Sequence, residues 1–265
     1  MSFSLSSYSL PFEKLKENTS KLYGDFKSGA PWPHLVLDDF FDEEVLDAVL
    51  EEFAQSEAKW KTFNSKYEGK NQMNRDEEFG PVTRAVFHSL NSAPFLAFLS
   101  EITGIERLVP DPFLEGGGYH QIPKGGKLGV HVDFNRNNQL GLYRRLNIII
   151  YLNKNWDDAY GGHFQLWDKD SRKCEKKVSP KFNRVALFET TSESFHGHPE
   201  PLNCPEGVVR RSLALYYYSP DRGNQKRHEH STIFMTPDGK FDDLGASPGF
   251  VDRFKQDLKR IIGRN

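Results

Sequence analysis

Residues 129–133 read Gly-Val-His-Val-Asp. In an extended strand, where side chains alternate, His131 and Asp133 leave by the same face. An imidazole and a carboxylate on adjacent rungs can grip one ion. Joined by a third ligand, the pair suits a divalent first-row metal with coordination positions left open. A three-residue pattern recurs by chance, so by itself it reads as a surface histidine beside an aspartate. The stretch SESFHGHPEPL offers two third ligands, His196 and His198. His196 follows the apolar run 185–188 after a polar turn, whereas His198 stands between Gly197 and Pro199, where the chain is turning away. His196 is therefore the expected ligand, and His198 an outer or substrate-contacting residue. His34 and His88 read as packing or surface residues, and His228 and His230 as part of a polar loop.

A second chemistry-bearing stretch is RRSLALYYYS, residues 210–219, with two arginines at the head of a strand apolar on both faces. An arginine entering such a strand must be paired, and its rigid fork matches a carboxylate bidentately, as a clamp for one end of a dicarboxylate would. Arg210 shares a face with Ser212 and is the preferred clamp, while Arg211 reads as a charge at the rim. Upstream, Asn147, Ile149 and Tyr151 point together along the run 146–153. A buried Tyr151 hydroxyl needs a polar partner, which either backbone or an anionic ligand can supply.

These residues need a scaffold of many short strands. Beyond Ile105, runs rich in Val, Ile, Tyr and Phe alternate with GGG, KGGK, GG and PEG turn clusters, the pattern of a sandwich or barrel. Before them, PWPHLVLDDF begins a buried strand. Asp42 can cap a helix carrying Val45, Leu46, Val49, Leu50 and Phe53 at helical spacing. Two more packing helices are expected over 81–90 and 94–103, the second opened by Ser92 and stopped by Gly104. Phe250, Phe254, Leu258 and Ile261 predict a C-terminal amphipathic helix, docked on the barrel or at a homodimer contact. The expected fold is α+β and mainly β: a double-stranded β-helix, or jelly roll, with N-terminal packing helices and a C-terminal helix. Residues 1–30 are expected to be an arm or short helix, and 31–265 one domain with its jelly-roll core over about 105–220.

The chain has 265 residues and a formal net charge of −2 with scattered basic residues, so no nucleic-acid surface is expected and the partner is a small molecule or a peptide. Two cysteines, Cys174 and Cys204, make no disulfide framework. The longest apolar run, 146–152, is too short to span a bilayer, and a cytoplasmic protein is expected.

Taken in order, HVD, RRLNIIIYLNKNWDDAYGGHFQLWD, PKFNRVALFETTSESFHGHPEPL and RRSLALYYYS resemble the prolyl-hydroxylase-like branch of Fe(II)/2-oxoglutarate oxygenases, over roughly 105–220. The resemblance implies a jelly roll with iron on His131, Asp133 and His196. It also implies Arg210, Ser212 and Tyr151 at the distal carboxylate of 2-oxoglutarate, with Phe164 walling that pocket beside Asn147. The cofactor set it implies is Fe(II), 2-oxoglutarate and O2, with ascorbate as reductant. The implied reaction is hydroxylation of an unactivated C–H bond of a prolyl residue, amino acid or small polar metabolite, with succinate and CO2 released. Tyr119, His120, Phe134, Asn135, Arg136 and Trp167, with His198, are expected around the open side of the iron. The other readings of the same ligands are a cupin-like metal-binding isomerase, or a sensor, that does not use 2-oxoglutarate.

Overall fold

The computed structural model describes residues 16–55, 60–221, 229–236 and 240–243. The predicted helix through Phe250 and Ile261 lies outside the described residues. Four helices are described. They are α1 Thr19–Ser28, α2 Glu43–Gln55, α3 Pro81–Leu90 and α4 Ala93–Thr103. Asp42 precedes α2, whose Val45, Leu46, Val49 and Phe53 are buried as the spacing predicted. Ser92 stands at the start of α4 and Gly104 at its end, in the left-handed conformation that lets the chain turn away.

The strands are β1 His34–Leu37, β2 Lys61–Asn64, β3 Gly69–Met73, β4 Val109–Pro110, β5 Gly118–Ile122, β6 Leu128–Val132, β7 Arg136–Asn137, β8 Leu142–Tyr151, β9 Phe164–Trp167, β10 Cys174–Val178, β11 Val185–Glu189, β12 His196–His198, β13 Arg210–Ser219, β14 Ile233–Met235 and β15 Phe241–Asp243. They form two sheets in which every pairing is antiparallel. The larger runs β1-β11-β8-β13-β5-β3-β2, with β4 and β7 attached to β13 and β8; the smaller runs β10-β9-β12-β6-β14-β15. Neighbours in each sheet are mostly distant in sequence, as expected of a jelly roll. β2 and β3 extend the larger sheet from a stretch where the sequence predicts no element, because their polar, half-exposed residues carry little strand signal.

Alternation along β13 and β8 divides the larger sheet into two faces. Leu213, Leu215, Tyr217, Leu146, Ile148 and Ile150 pack beneath the helices in one apolar cluster with Leu46, Val86, Phe95 and Leu99. The opposite face carries Arg210, Ser212, Ala214, Asn147, Ile149 and Tyr151. The apolar layer under the helices covers one face of the sheet and leaves the other free for polar side chains. Phe95, fully buried between Phe40, Phe98 and Tyr217, is central to that layer. Phe95→Ala should lower unfolding free energy by about 3–5 kcal/mol, measured by urea denaturation. Loss below about 1 kcal/mol would show that the helical layer does not brace the sheet through this ring.

Candidate metal and co-substrate site

His131 and His196 are directly opposite each other in the β6–β12 ladder. Their rings lie 4.4 Å apart, and the ligand atoms of His131, Asp133 and His196 all fall within 4.8 Å of one another. All three residues are buried. The two Nδ1 atoms are held by backbone, His131 against the Gly129 carbonyl at 2.8 Å and His196 against the Ser194 carbonyl at 2.8 Å. A protonated Nδ1 donating to a carbonyl leaves Nε2 as the free lone pair. Those two Nε2 atoms stand 3.6 and 3.4 Å from the Asp133 carboxylate oxygens. Two nitrogens and one carboxylate on one side of a buried centre fit a divalent iron with open positions.

The carboxylate is itself oriented. Asn147 donates to Asp133 Oδ2 at 2.7 Å and accepts from Arg144 Nε at 2.7 Å and from Thr190 Oγ1 at 3.1 Å. Arg144 Nη2 lies 3.1 Å from the same oxygen, its guanidinium 3.4 Å over the Tyr216 ring and 4.5 Å over that of Phe134. Burial by itself would raise the Asp133 pKa, but Arg144 and the two histidines hold the carboxyl well below the usual carboxylate range. Desolvation pushes His196 down to about 3, keeping it neutral as a ligand must be.

Arg144 was not singled out in the sequence, and the reason is local. Strict alternation places Arg145 with Asn147, Ile149 and Tyr151. However, Tyr217 pairs with Leu146 and Tyr218 with Arg144, so Arg145 is an extra residue in a β-bulge that reverses the alternation. Arg144 thereby turns inward. Arg145 bonds the Asp221 carbonyl and lies 3.8 Å from Glu189.

Arg210 and Arg211 separate in the same way. Arg210 points between the sheets, buried, its Nε donating to the Gly162 carbonyl at 2.8 Å and its guanidinium 5.0 Å from the Tyr151 ring. Gly162 has φ 70°, and a Cβ there would meet Arg210 Cδ at 2.9 Å and Leu202 at 2.6 Å, so only glycine lets the arginine pass. Arg211 faces the helices over Phe53. Ser212 pairs with both Tyr151 and His120 on the inner face, and Phe164 shares a buried cluster with Tyr151 and Phe188. His198 is buried nearby, with Arg210, His131 and Lys70 as its neighbours.

The residues expected around the open side divide. His120 faces inward, bonded to the Gly116 carbonyl at 3.0 Å, and Phe134 lies beside Arg144. Tyr119 is corrected: it faces the helices, wedged against Phe53 and Phe79 with its hydroxyl 2.6 Å from Thr83 Oγ1, because alternation in β5 sends it opposite to His120. Trp167 is likewise on the outer side of the smaller sheet, packed with Val130, Val132 and Phe195. Asn135 is tied to the backbone of His230, and Arg136 pairs with Glu229. Neither contact involves the three ligand residues.

Asn147→Ala should weaken Mn(II) binding by about 10–100-fold, since it releases the carboxylate ligand, and calorimetry would show it; an unchanged affinity would remove Asn147 from this role. His120 and His196 are both pushed by burial to about 3, from 6.5. The folded chain therefore binds fewer protons than the unfolded one, and the metal-free protein should lose stability as pH falls from about 6.5 towards 3. The loss is at most about 1.4 kcal/mol per pH unit for each group. Urea midpoints between about pH 7.5 and 5 test this, and His120→Asn should flatten the slope.

The comparisons with known proteins agree with this geometry. The family model described as the 2OG-Fe(II) oxygenase superfamily matches residues 117–218, which include the three ligands and Arg210. No curated protein matches the chain. Among solved structures, a prolyl hydroxylase from Trichoplax adhaerens, in complex with a peptide fragment of the hypoxia inducible factor oxygen degradation domain, superposes with TM-score 0.58 at 18% identity, over 80% of this chain and 96% of that one. A prolyl-4-hydroxylase from Pseudomonas putida gives 0.55 at 16% identity over 75% and 98%. A prolyl 4-hydroxylase from Phytophthora capsici gives 0.54 at 19% over 98% and 77%. At such identities the likeness speaks for the fold, and it is a jelly-roll likeness. Over residues 117–218 the chain is thus similar to the 2OG-Fe(II) oxygenase superfamily, its fold is like that of the prolyl hydroxylases, and His131, Asp133 and His196 form a cluster that could hold a metal ion.

Proposed function

We propose that this chain hydroxylates an unactivated C–H bond while 2-oxoglutarate is cleaved to succinate and CO2. In this reading His131, Asp133 and His196 hold the iron and Arg210 receives the distal carboxylate of the co-substrate. The observation that carries it is the isolation of Arg210: it is 5% exposed, and among the described residues no carboxylate pairs with it. A buried guanidinium without a counter-ion is costly, and a dicarboxylate supplies that ion. Tyr151, fully buried, stands beside it, and Ser212 shares its face.

Iron(II), when bound, supplies the open positions for the keto acid and O2 and the redox chemistry that couples them. The chain supplies position. Nδ1 hydrogen bonds aim both imidazoles, Asn147 and Arg144 fix the carboxylate, and the apolar ring of Phe164 with Phe188 and Trp32 keeps water from the inner end. The substrate enters from the side bounded by Phe134, His120 and Tyr216. A prolyl residue, an amino acid or a small polar metabolite meets those aromatic and polar groups, and the three prolyl hydroxylases of like fold favour the prolyl residue. A metal-binding isomerase or sensor has no use for Arg210 in this place.

Anaerobic titration of the Fe(II)-loaded protein with 2-oxoglutarate should produce the weak visible charge-transfer band of the chelate. Arg210→Ala should raise the 2-oxoglutarate Kd by about two orders of magnitude or more while iron binding persists, as loss of one partner of a buried charged pair costs roughly 2–5 kcal/mol. Iron binding with neither band nor co-substrate affinity in the wild type would sink the reading.

A further inference from the structure

The imidazole of His198 is left over by everything described so far. It is 3% exposed, and neither Nδ1 nor Nε2 has a hydrogen-bond partner. The other two buried histidines of the smaller sheet and its edge, His131 and His196, each spend one nitrogen on backbone and keep the other for metal. His198 spends neither. Two unpaired buried nitrogens in one ring are a substantial deficit, on the scale of any buried polar group stripped of water, and a ligand is one way to remove it.

The place of the ring says which ligand. His198 is two residues beyond His196 on β12, across a register shift against β6, and its neighbours are Arg210 first, then His131 and Lys70, which places its ring between the sheets. It thus borders the path from the ligand cluster to the carboxylate clamp. Lys70 already has an anion, Glu68, at 3.0 Å, whereas Arg210 has none among the described residues. The ring is also rigidly held: a Cβ on the intervening Gly197 would meet the carbonyl oxygens of Gly129 at 2.6 Å and Leu128 at 2.8 Å, so β12 lies pressed against β6. A neutral imidazole N–H beside an unneutralised guanidinium completes a donor set for one carboxylate.

We propose that His198 is a binding residue for 2-oxoglutarate, donating a hydrogen bond to the distal carboxylate alongside Arg210. The inference rests on the oxygenase reading above and adds a third kind of donor to the guanidinium and phenol of that clamp. In the Mn(II)-loaded full chain, calorimetric titration with 2-oxoglutarate should show His198→Ala weakening Kd at least tenfold, which is about 1.4 kcal/mol. His198→Gln, which keeps an N–H donor at similar reach, should recover most of that loss. Mn(II) affinity measured without co-substrate should stay within about twofold of wild type in both variants, a result that a general disturbance of β12 would not give. Unchanged 2-oxoglutarate affinity in His198→Ala overturns the proposal. So does equal weakening in the Ala and Gln variants, which would mark a packing role. Failure of the wild type itself to bind 2-oxoglutarate would overturn the oxygenase reading along with it.

Discussion

A carboxylate removed from water between two sheets is the constraint around which this molecule is arranged. Asp133 must stay ionised to bind a cation, and its burial opposes ionisation. The opposition is overcome by one guanidinium and one amide: Arg144 brings the charge, Asn147 joins Arg144 to the carboxylate, and Thr190 bonds Asn147. Arg144 is in turn sandwiched by Tyr216 and Phe134, which shield it from solvent and hold its plane. The charge of the carboxylate is thus answered from within the chain, by Arg144.

The two sheets sort charge between them. The larger sheet presents arginines and amides inward and is backed by helices on its other face. The smaller sheet presents histidines and is backed by its own cluster of Val130, Val132, Phe195 and Ile233. A wall bearing Arg210, Arg144 and Asn147 thus faces a wall bearing His131, His196 and His198. On the function proposed above, a ligand that is a metal chelator at one end and an anion at the other would span the two walls, and neither by itself would recognise it.

Much of this was legible along the chain, and where it was not the cause is local. The clustering of His131, Asp133 and His196 could be read because period-2 geometry needs no tertiary information, and because His196 was bracketed by an apolar strand and a turn. Helices α2 to α4 could be read from spacing and end residues. β2 and β3 could not, since a strand stabilised by pairing with β5, with polar side chains half in water, looks like loop. The parity of Tyr119 and Trp167 was readable in principle: each alternates with a neighbour, His120 or Leu166, whose direction settles its own. Arg144 was not, because a bulge is decided by cross-strand register and leaves no mark in the residues that bear it.

That bulge has a consequence for how such a cavity can change. One extra residue at Arg145 decides which of two adjacent arginines faces the centre and which faces outward to Asp221 and Glu189. Pairing Arg145 rather than Arg144 with Tyr218 would close the bulge and bring a guanidinium to the centre from one residue nearer Asn147. The position of the charge beside Asp133 is therefore set by strand register as well as by side-chain identity. A shift of register here acts on the site as a substitution would, and two chains with the same residues in β8 can still differ in where that charge stands.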